Sequence, residues 1–399
     1  MLIALISLSL FLPGALGRDG VYNSTSRLAK RDSRIASEQG RVEWILECTA
    51  EKHTCKKVTD AVRLMSRFIE NAIILEPITI KLKFEKICDS YVGRCERMAM
   101  CEPSQLIRVN EENLTFLYPQ ALYKQSDHNE VHYLKDYDML ITFDAYYDYY
   151  FPDDYPNTQG MCEMDFMQIL THEVLHGLGF ASSFHALTSD IFSPIPHVRK
   201  AMSSKEESKV DFLFTEFDKH IVIEKNSISL KHYAAKLRDL GPIHFKLGQD
   251  YKTLIQNQPH YKIFKELSSI SNHDYFNASN NIKVYLKTSS TFSSMSLSHI
   301  DATTYKNTRD ETMMAKSGSG VGLHDLFHDD AKWLTSPFGP KTLAILATLG
   351  YRINPSPDYE RSMESHYASF FDLPHDKTNS FFFRWLSHFY FCRKTMFGN

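Results

Sequence analysis

The chain has 399 residues, with 45 lysines and arginines against 48 aspartates and glutamates and a net charge of −3 at pH 7. This balance argues against a nucleic acid or a polybasic membrane contact as the main partner. Hydrophobic residues at 43% and aromatic residues at 13% exclude wholesale disorder, and 16 glycines and 15 prolines are too few for a collagen-like or low-complexity chain.

Residues 1–17 have the pattern of a secretory signal peptide. Their apolar run is too short to cross a bilayer as a mature helix, and the small residues Ala15 and Gly17 stand where such peptides are cleaved. Residues 18–40 are polar and are predicted to be a linker or a short pro-segment removed at Lys30-Arg31. Because no later segment is suited to span a membrane, we predict a secreted protein, with surface association as a further option.

Cysteines and glycosylation sequons favour the same exported compartment. The chain has seven cysteines, and all but Cys162 and Cys392 lie between residues 48 and 101, as in a disulfide-stapled region. Their pairing does not follow from the sequence, and the isolated Cys392 is the best candidate for the odd thiol. Three sequons suit N-glycans on an exported surface: Asn23-Ser-Thr, Asn113-Leu-Thr and Asn277-Ala-Ser.

Apolar periodicity predicts helices and strands over residues 41–185. Apolar residues at helical spacing predict a helix from Glu43 to about Asn71. Period-two alternation predicts a strand in the second half of 73–84, and a second strand is expected at 139–143. A further helix is predicted over 165–177.

The rest of the chain divides into three parts. Residues 186–298 are rich in lysine and serine, are weakly periodic and are predicted to be an insertion. Residues 299–358 form a predicted C-terminal subdomain, in which the apolar helix 343–349 ends at Gly350. The aromatic tail 359–399 is expected to pack against the protein.

The helix predicted over 165–177 contains the sequence His172-Glu173-Val-Leu-His176. Histidines four residues apart project from one side of a helix, so both can bind one Zn²⁺. Zinc lowers the pKa of a bound water towards about 7, and the carboxylate can take its proton as the hydroxide attacks a carbonyl. Apolar flanking residues predict burial, which is costly for these side chains without a metal. We therefore predict His172 and His176 as zinc ligands and Glu173 as the general base.

A catalytic zinc also needs a third protein ligand and an open fourth position. Gly179 ends the helix and allows a sharp turn, but Ser182 stands where the extended metzincin pattern has its third histidine. His185 is close by but displaced by three residues. A further alternative is a thermolysin-like site in which a later glutamate binds zinc: Glu206, Glu207 or Glu216.

Three motifs stand in order along the chain: His172-Glu-Val-Leu-His176-Gly-Leu-Gly179-Phe180, then His299-Ile-Asp301 with Glu311-Thr-Met-Met314-Ala315, then Leu349-Gly350-Tyr351. In this order they resemble the leishmanolysin-type metzincins, in which an inserted segment separates the first two zinc ligands from the third. The resemblance covers roughly residues 73–351 and is strong only at these motifs. It implies His299 as the third ligand beside His172 and His176, Glu173 as the base, and Met314 as the methionine of the family's turn.

The resemblance also implies a fold and an activity. The fold is α/β of the α+β kind, with a twisted sheet above the active-site helix and the segment from His299 to Tyr351 beneath the zinc. The implied activity is that of a secreted zinc endopeptidase acting on a protein or peptide substrate. The alternative is a zinc-bound but non-catalytic adhesion or binding module on the same scaffold. Glu173 favours the enzyme, because a structural zinc site needs no carboxylate beside the metal. Asp301 is expected either to orient His299 or to cap the next turn.

Overall fold

A computed structural model of the chain describes residues 32–86, 98–128, 133–154, 163–188, 191–199, 208–245, 251–268, 274–287, 297–306, 308–315 and 337–354. The strands in these ranges are β1 (Asp32–Ala36), β2 (Val42–Cys48), β3 (Ile73–Ile74), β4 (Ile78–Glu85), β5 (Ala99–Pro103), β6 (Leu106–Glu111), β7 (Leu114–Pro119), β8 (Met139–Asp144), β9 (Tyr149–Tyr150), β10 (Met164–Asp165), β11 (His185–Ala186), β12 (Phe192–Ser193), β13 (Ile195–Arg199), β14 (Ser208–Thr215), β15 (Ile221–Ile223), β16 (Ile228–Ser229), β17 (Ile243–Phe245), β18 (Tyr275–Ala278), β19 (Ile282–Tyr285) and β20 (Arg352–Ile353).

The helices in these ranges are α1 (Lys52–Ala72), α2 (Gln120–Tyr123), α3 (Phe166–Gly177), α4 (Glu216–Lys219), α5 (Leu230–Leu240), α6 (Tyr251–Gln256), α7 (Pro259–Ser268), α8 (Ala302–Tyr305) and α9 (Pro340–Leu349). None of these described helices is long and apolar enough to cross a membrane. The combination of helices with parallel and antiparallel strands confirms the predicted α+β class.

The sheet that positions α3 has five strands in the order β1-β2-β4-β8-β5. β2, β4 and β8 run parallel to one another, and the edge strands β1 and β5 are antiparallel to their neighbours. Along β4 every second residue from Ile78 to Phe84 is buried and the residues between them are half-buried, as expected for a strand with one face on the core. The strands predicted in the second half of 73–84 and over 139–143 are confirmed here.

The helix predicted over 43–71 is in fact a strand followed by a helix, since α1 begins only at Lys52. The prediction is wrong over residues 43–48, because alternate side chains along β2 are buried, which is the pattern of a strand. The buried side chains are those of Val42, Trp44 and Leu46. A disulfide between Cys48 and Cys55 joins the end of β2 to the first turn of α1.

The edge strand β1 lies within the segment 18–40 that the sequence predicts to be a linker or pro-segment. It pairs antiparallel with β2, and Arg34 donates hydrogen bonds to the Glu43 carboxylate at 3.1 Å. Its polar composition resembles that of a linker because an edge strand leaves much of its surface in water. The predicted signal peptide and the Lys30-Arg31 site lie outside the described residues.

The predicted insertion 186–298 shares a sheet with the residues before α3. Its strand β14 pairs in parallel with β7, where Phe214 lies opposite Phe116 and Thr215 opposite Leu117. The resulting order is β13-β14-β7-β6, with β17 also paired to β14, and a second sheet follows in the order β16-β15-β18-β19. This segment therefore extends a sheet that the preceding part of the chain begins.

The residues after 298 pair with the segment 186–298 and with β3 in the N-terminal part of the chain. Ile300 forms β-bridges to Leu286 on one side and to Met314 on the other. The predicted C-terminal helix is α9, and Gly350 caps it in the left-handed region with φ of 115°, as predicted. After the cap, β20 pairs antiparallel with β3 at the end of α1. The predicted tail 359–399 lies outside the described residues.

Candidate metal centre

α3 carries the histidines and Glu173, and its sequence accounts for its position. The Asp165 carboxylate accepts a hydrogen bond from the backbone N–H of Gln168 at 2.8 Å, which caps the N-terminus of the helix. Apolar side chains bury the helix, among them Ile169, Leu170, Val174 and Leu175. The helix predicted over 165–177 is therefore confirmed, with His172 and His176 on one side of it.

Gly177 lets α3 pack directly against the sheet. A Cβ atom at this position would lie 2.2 Å from Sδ of Met139 on β8 and 3.0 Å from Sγ of Cys101 on β5. A larger residue would therefore displace the Met139 side chain or shift the helix. The same close packing allows the backbone N–H of Cys101 to donate a hydrogen bond to the Glu173 carboxylate.

The structure brings His299 to the two histidines of α3. Nε2 of His172 lies 3.0 Å from Nε2 of His176 and 3.2 Å from Nε2 of His299. The candidate ligand atoms of all three residues lie within 4.8 Å of one another. His299 is buried, and His172 and His176 are half-buried. The three residues that the sequence and the resemblance predict as ligands thus form one group.

Hydrogen bonds fix the tautomers of the two imidazoles on α3. Nδ1–H of His172 donates to the Thr312 carbonyl oxygen at 2.8 Å, and Nδ1–H of His176 donates to the Phe180 carbonyl oxygen at 2.7 Å. Each Nε2 therefore carries no hydrogen and presents a lone pair to the centre of the group. Burial lowers the pKa of both rings, that of His172 to about 3 with a smaller contribution from His176. Both rings are neutral at neutral pH and able to bind a metal.

The donor set fits a divalent cation. Lone pairs that face each other at 3.0 Å repel, and a cation between them removes the repulsion. Tetrahedral zinc with Zn–N distances of about 2.0–2.1 Å needs ligand nitrogens about 3.4 Å apart, and imidazole is among its preferred donors. The observed separations of 3.0 and 3.2 Å are close to this requirement. The three histidines could therefore form a metal site.

Glu173 lies next to His172 in the chain, and its carboxyl group is buried with 8% of the residue exposed. Burial raises the pKa of Glu173 to about 8, although the hydrogen bond from Cys101 acts in the opposite direction. A cation at the histidines would favour the charged carboxylate. A carboxyl group in this environment is suited to accepting and releasing a proton near neutral pH.

The chain around His299 is held from both sides. The backbone N–H of Lys287 donates to the His299 carbonyl oxygen at 2.7 Å, and that of Ile300 donates to the Met313 carbonyl oxygen at 3.1 Å. Leu297 is fully buried and has φ of 65°. Such a left-handed conformation costs a non-glycine residue about 1–3 kcal/mol, and it persists only where the surrounding structure enforces it.

The turn over 309–315 supports the centre through its backbone. Its Thr312 carbonyl oxygen orients His172, and its Asp310 carboxylate accepts a hydrogen bond from the backbone N–H of Thr342 at 2.8 Å at the start of α9. Of the two methionines in the turn, Met313 is fully buried, whereas Met314, which the resemblance implies as the family's methionine, is half-buried.

Two other residues weighed as candidates have different partners. His185 pairs with Ser193 across β11 and β12, and the backbone of Ser183 and Ser193 hydrogen-bonds to its ring. Asp301 accepts a hydrogen bond from the backbone N–H of Thr304 at 2.8 Å. Asp301 therefore caps α8, which is the second of the two roles expected for it.

The glutamates of the thermolysin-like alternative do not join the group in the described residues. The Glu216 carboxylate accepts hydrogen bonds from the Lys219 ammonium at 2.8 and 3.2 Å and lies 3.1 Å from Nε2 of His220. Glu206 and Glu207 lie outside the described residues. Glu216 is therefore committed to an ion pair.

The motifs in the sequence do not mark Asp218, which is fully buried behind the loop that follows α3. Its carboxylate accepts hydrogen bonds from the Ser182 hydroxyl at 2.6 Å and from the backbone N–H of Ser183 at 2.9 Å. The one available signal is the capping box Thr215-Glu-Phe-Asp218 at the start of α4. That signal predicts a helix start and says nothing about the histidines.

A comparison with family models gives a match over residues 22–376, to the family described as SPBPB7E8-like. No curated protein and no solved structure matches the chain. The match covers most of the sequence, including His172, Glu173, His176 and His299. The chain therefore belongs to the SPBPB7E8-like family.

Proposed function

We propose that this protein is a secreted zinc-dependent endopeptidase that hydrolyses peptide bonds in proteins or peptides. The observation that carries the proposal is the convergence of three Nε2 atoms, from His172, His176 and His299, next to a buried Glu173. The resemblance to leishmanolysin-type metzincins supports the same activity, because it implies the same four residues.

His172, His176 and His299 would hold the zinc ion. When bound, zinc supplies a Lewis acid that polarises a carbonyl and a water molecule. The carbonyl oxygens of Thr312 and Phe180 keep two of the imidazoles in the tautomer that leaves Nε2 free.

Glu173 would act as the general base. It directly follows His172 on α3, and the Cys101 backbone N–H donates a hydrogen bond to its carboxylate. Its position lets it accept a proton from water and pass that proton to the leaving amine.

Secretion is part of the proposal and has one structural support. The disulfide between Cys48 and Cys55 is a feature of proteins that mature in oxidising compartments. The N-terminal signal pattern and the three sequons agree with that compartment.

The test replaces Glu173 with glutamine in the full chain. Glu173→Gln should retain the metal and the fold and lose at least about 100-fold in peptide hydrolysis, because a general base contributes about 10²–10⁴-fold and an amide cannot accept the proton. Hydrolysis of casein and of a fluorogenic peptide is measured at equal zinc content, with and without a chelator.

Glu70→Gln is the matched control, because Glu70 is a buried glutamate on α1 that accepts hydrogen bonds from Ser37 and from the backbone of Arg41. It should hydrolyse peptides like the wild type. Undiminished hydrolysis by zinc-loaded Glu173→Gln would remove Glu173 from the mechanism. A wild-type chain that binds zinc and cleaves neither substrate would instead favour the non-catalytic binding module.

A further inference from the structure

Ser182 occupies the position at which the extended metzincin pattern has its third histidine, and both of its polar groups are engaged. Its backbone N–H donates to the Ser298 hydroxyl oxygen at 3.0 Å. Its own hydroxyl donates to Oδ1 of Asp218 at 2.6 Å. Because Ser298 directly precedes His299, this one residue connects the loop after α3 to the chain that carries the remote ligand.

Asp218 anchors the other end of this connection. It belongs to α4, within the segment 186–298, and it is fully buried. Besides the Ser182 hydroxyl, its carboxylate accepts the backbone N–H groups of Ser183 at 2.9 Å and Thr215 at 3.0 Å. A buried carboxylate with several donors holds them in one arrangement, since each donor left unpaired would cost free energy.

The same loop also reaches the ligands on α3. The Phe180 carbonyl oxygen orients His176, and the Ala181 carbonyl oxygen accepts a hydrogen bond from the Thr215 hydroxyl at 2.9 Å. Residues 180–183 are therefore tied to His176 at one end and to α4 and Ser298 at the other. The left-handed backbone of Leu297 shows that the chain before Ser298 is also held in a conformation it would not adopt alone.

We propose that Asp218, Ser182 and Ser298 are positioning residues of the metal centre, which fix His299 relative to His172 and His176. The inference rests on the metal site of the proposed function and adds a role for the segment 186–298. That segment supplies the buried carboxylate that joins the remote ligand to the active-site helix. Groups that hydrogen-bond directly to metal ligands typically contribute about 10–100-fold to metal affinity, and we expect these residues, which act through the backbone of His299, to fall in the same range.

The experiment measures the affinity of the full chain for Zn²⁺ by competition with a chromophoric chelator, together with the visible absorption of bound Co²⁺. Ser298→Ala removes the acceptor of the Ser182 N–H and should weaken Zn²⁺ binding about 10–100-fold and alter the Co²⁺ spectrum. Ser298→Thr retains a hydroxyl and should restore both. Asp218→Asn replaces a carboxylate oxygen with a donor and should weaken binding at least as much as Ser298→Ala.

Two matched controls separate positioning from general destabilisation. Ser66→Ala removes a buried serine that accepts the Trp44 indole N–H at 2.7 Å, and Asp138→Asn alters a buried aspartate that accepts the Thr79 backbone N–H at 2.7 Å. Thermal unfolding of the metal-free proteins shows how much each variant is destabilised. The controls should bind Zn²⁺ like the wild type even where their unfolding temperature falls as far as that of Ser298→Ala.

Each result decides between the inference and the function on which it rests. A wild-type chain that binds no Zn²⁺ overturns the metal site and this inference together. A wild-type chain that binds Zn²⁺, with a Ser298→Ala variant that folds and binds it equally tightly, overturns only the inference. Weaker binding by Ser298→Ala with rescue by Ser298→Thr supports positioning, and it does so even if the wild type cleaves no peptide.

Discussion

Two regions of the chain supply the three histidines, and they differ in how far their geometry depends on distant residues. α3 places His172 and His176 on one side of a single helix, so their separation follows from helical periodicity. His299 reaches them through long-range contacts, which include the pairing of its backbone with Lys287 and the contact of Ile300 with the turn at Met313. Two of the three ligands are therefore positioned locally, by one helix, and the third is positioned by tertiary contacts of the chain around it.

The largest expected effect tests whether a ligand from α3 and the remote ligand His299 contribute equally to Zn²⁺ affinity. His176→Ala and His299→Ala should each reduce Zn²⁺ affinity by more than about 100-fold, because each removes a ligand, whereas loss of a residue that only supports a ligand costs about 10–100-fold. Equilibrium competition with a chelator measures both. His185→Ala should bind Zn²⁺ like the wild type. If His299→Ala kept its zinc and His185→Ala lost it, the third ligand would be His185.

The next largest effect concerns the packing of α3, which carries the two local ligands, against the sheet. Gly177→Ala should lower the free energy of unfolding by about 1–3 kcal/mol, because its methyl group would overlap Met139 on β8 and overpack the contact. Urea denaturation measures the change. Gly350→Ala is the comparison, because no atom lies within 4 Å of a Cβ at that position and only the left-handed backbone opposes the substitution. A Gly177→Ala protein as stable as the wild type would show that the Met139 side chain moves aside without cost.

The smallest effect tests which methionine of the turn over 309–315 is more constrained by its surroundings. Met313→Leu and Met314→Leu each conserve volume and should cost less than about 1.5 kcal/mol. The cost should be larger for Met313, which is fully buried, than for the half-buried Met314. Thermal unfolding of the two metal-free variants gives the order. A larger loss in Met314→Leu would assign the more constrained role to the methionine that the resemblance implies.

The sequence predicts the local features of this protein well. The strand at Ile78–Glu85, the helix at Phe166–Gly177 and the end of α9 at Gly350 follow from periodicity, capping and glycine conformation. The helix predicted from Glu43 is wrong over β2, because a short alternating run and a following helix share apolar residues that fit one longer helix. Local patterns cannot separate the two when the turn between them is short.

The tertiary features of the site do not follow from local patterns. His299 is implied by resemblance, and no spacing in the sequence connects it to His176. The Thr312 carbonyl oxygen is a backbone group, so residue identity does not reveal that it orients His172. Asp218 resembles an ordinary helix cap, and its contact with Ser182 depends on the pairing of β14 with β7.

The division of the three histidines along the chain also has a consequence in time. A ribosome adds about 5–20 residues per second, so the roughly 120 residues after His176 take on the order of ten seconds to synthesise. During that interval the nascent chain contains the helix with two histidines and lacks the third. The complete group forms only after His299 and the turn at Thr312 have emerged and docked, so an emerging chain lacks the full metal centre for the whole time that residues 177–299 are being made.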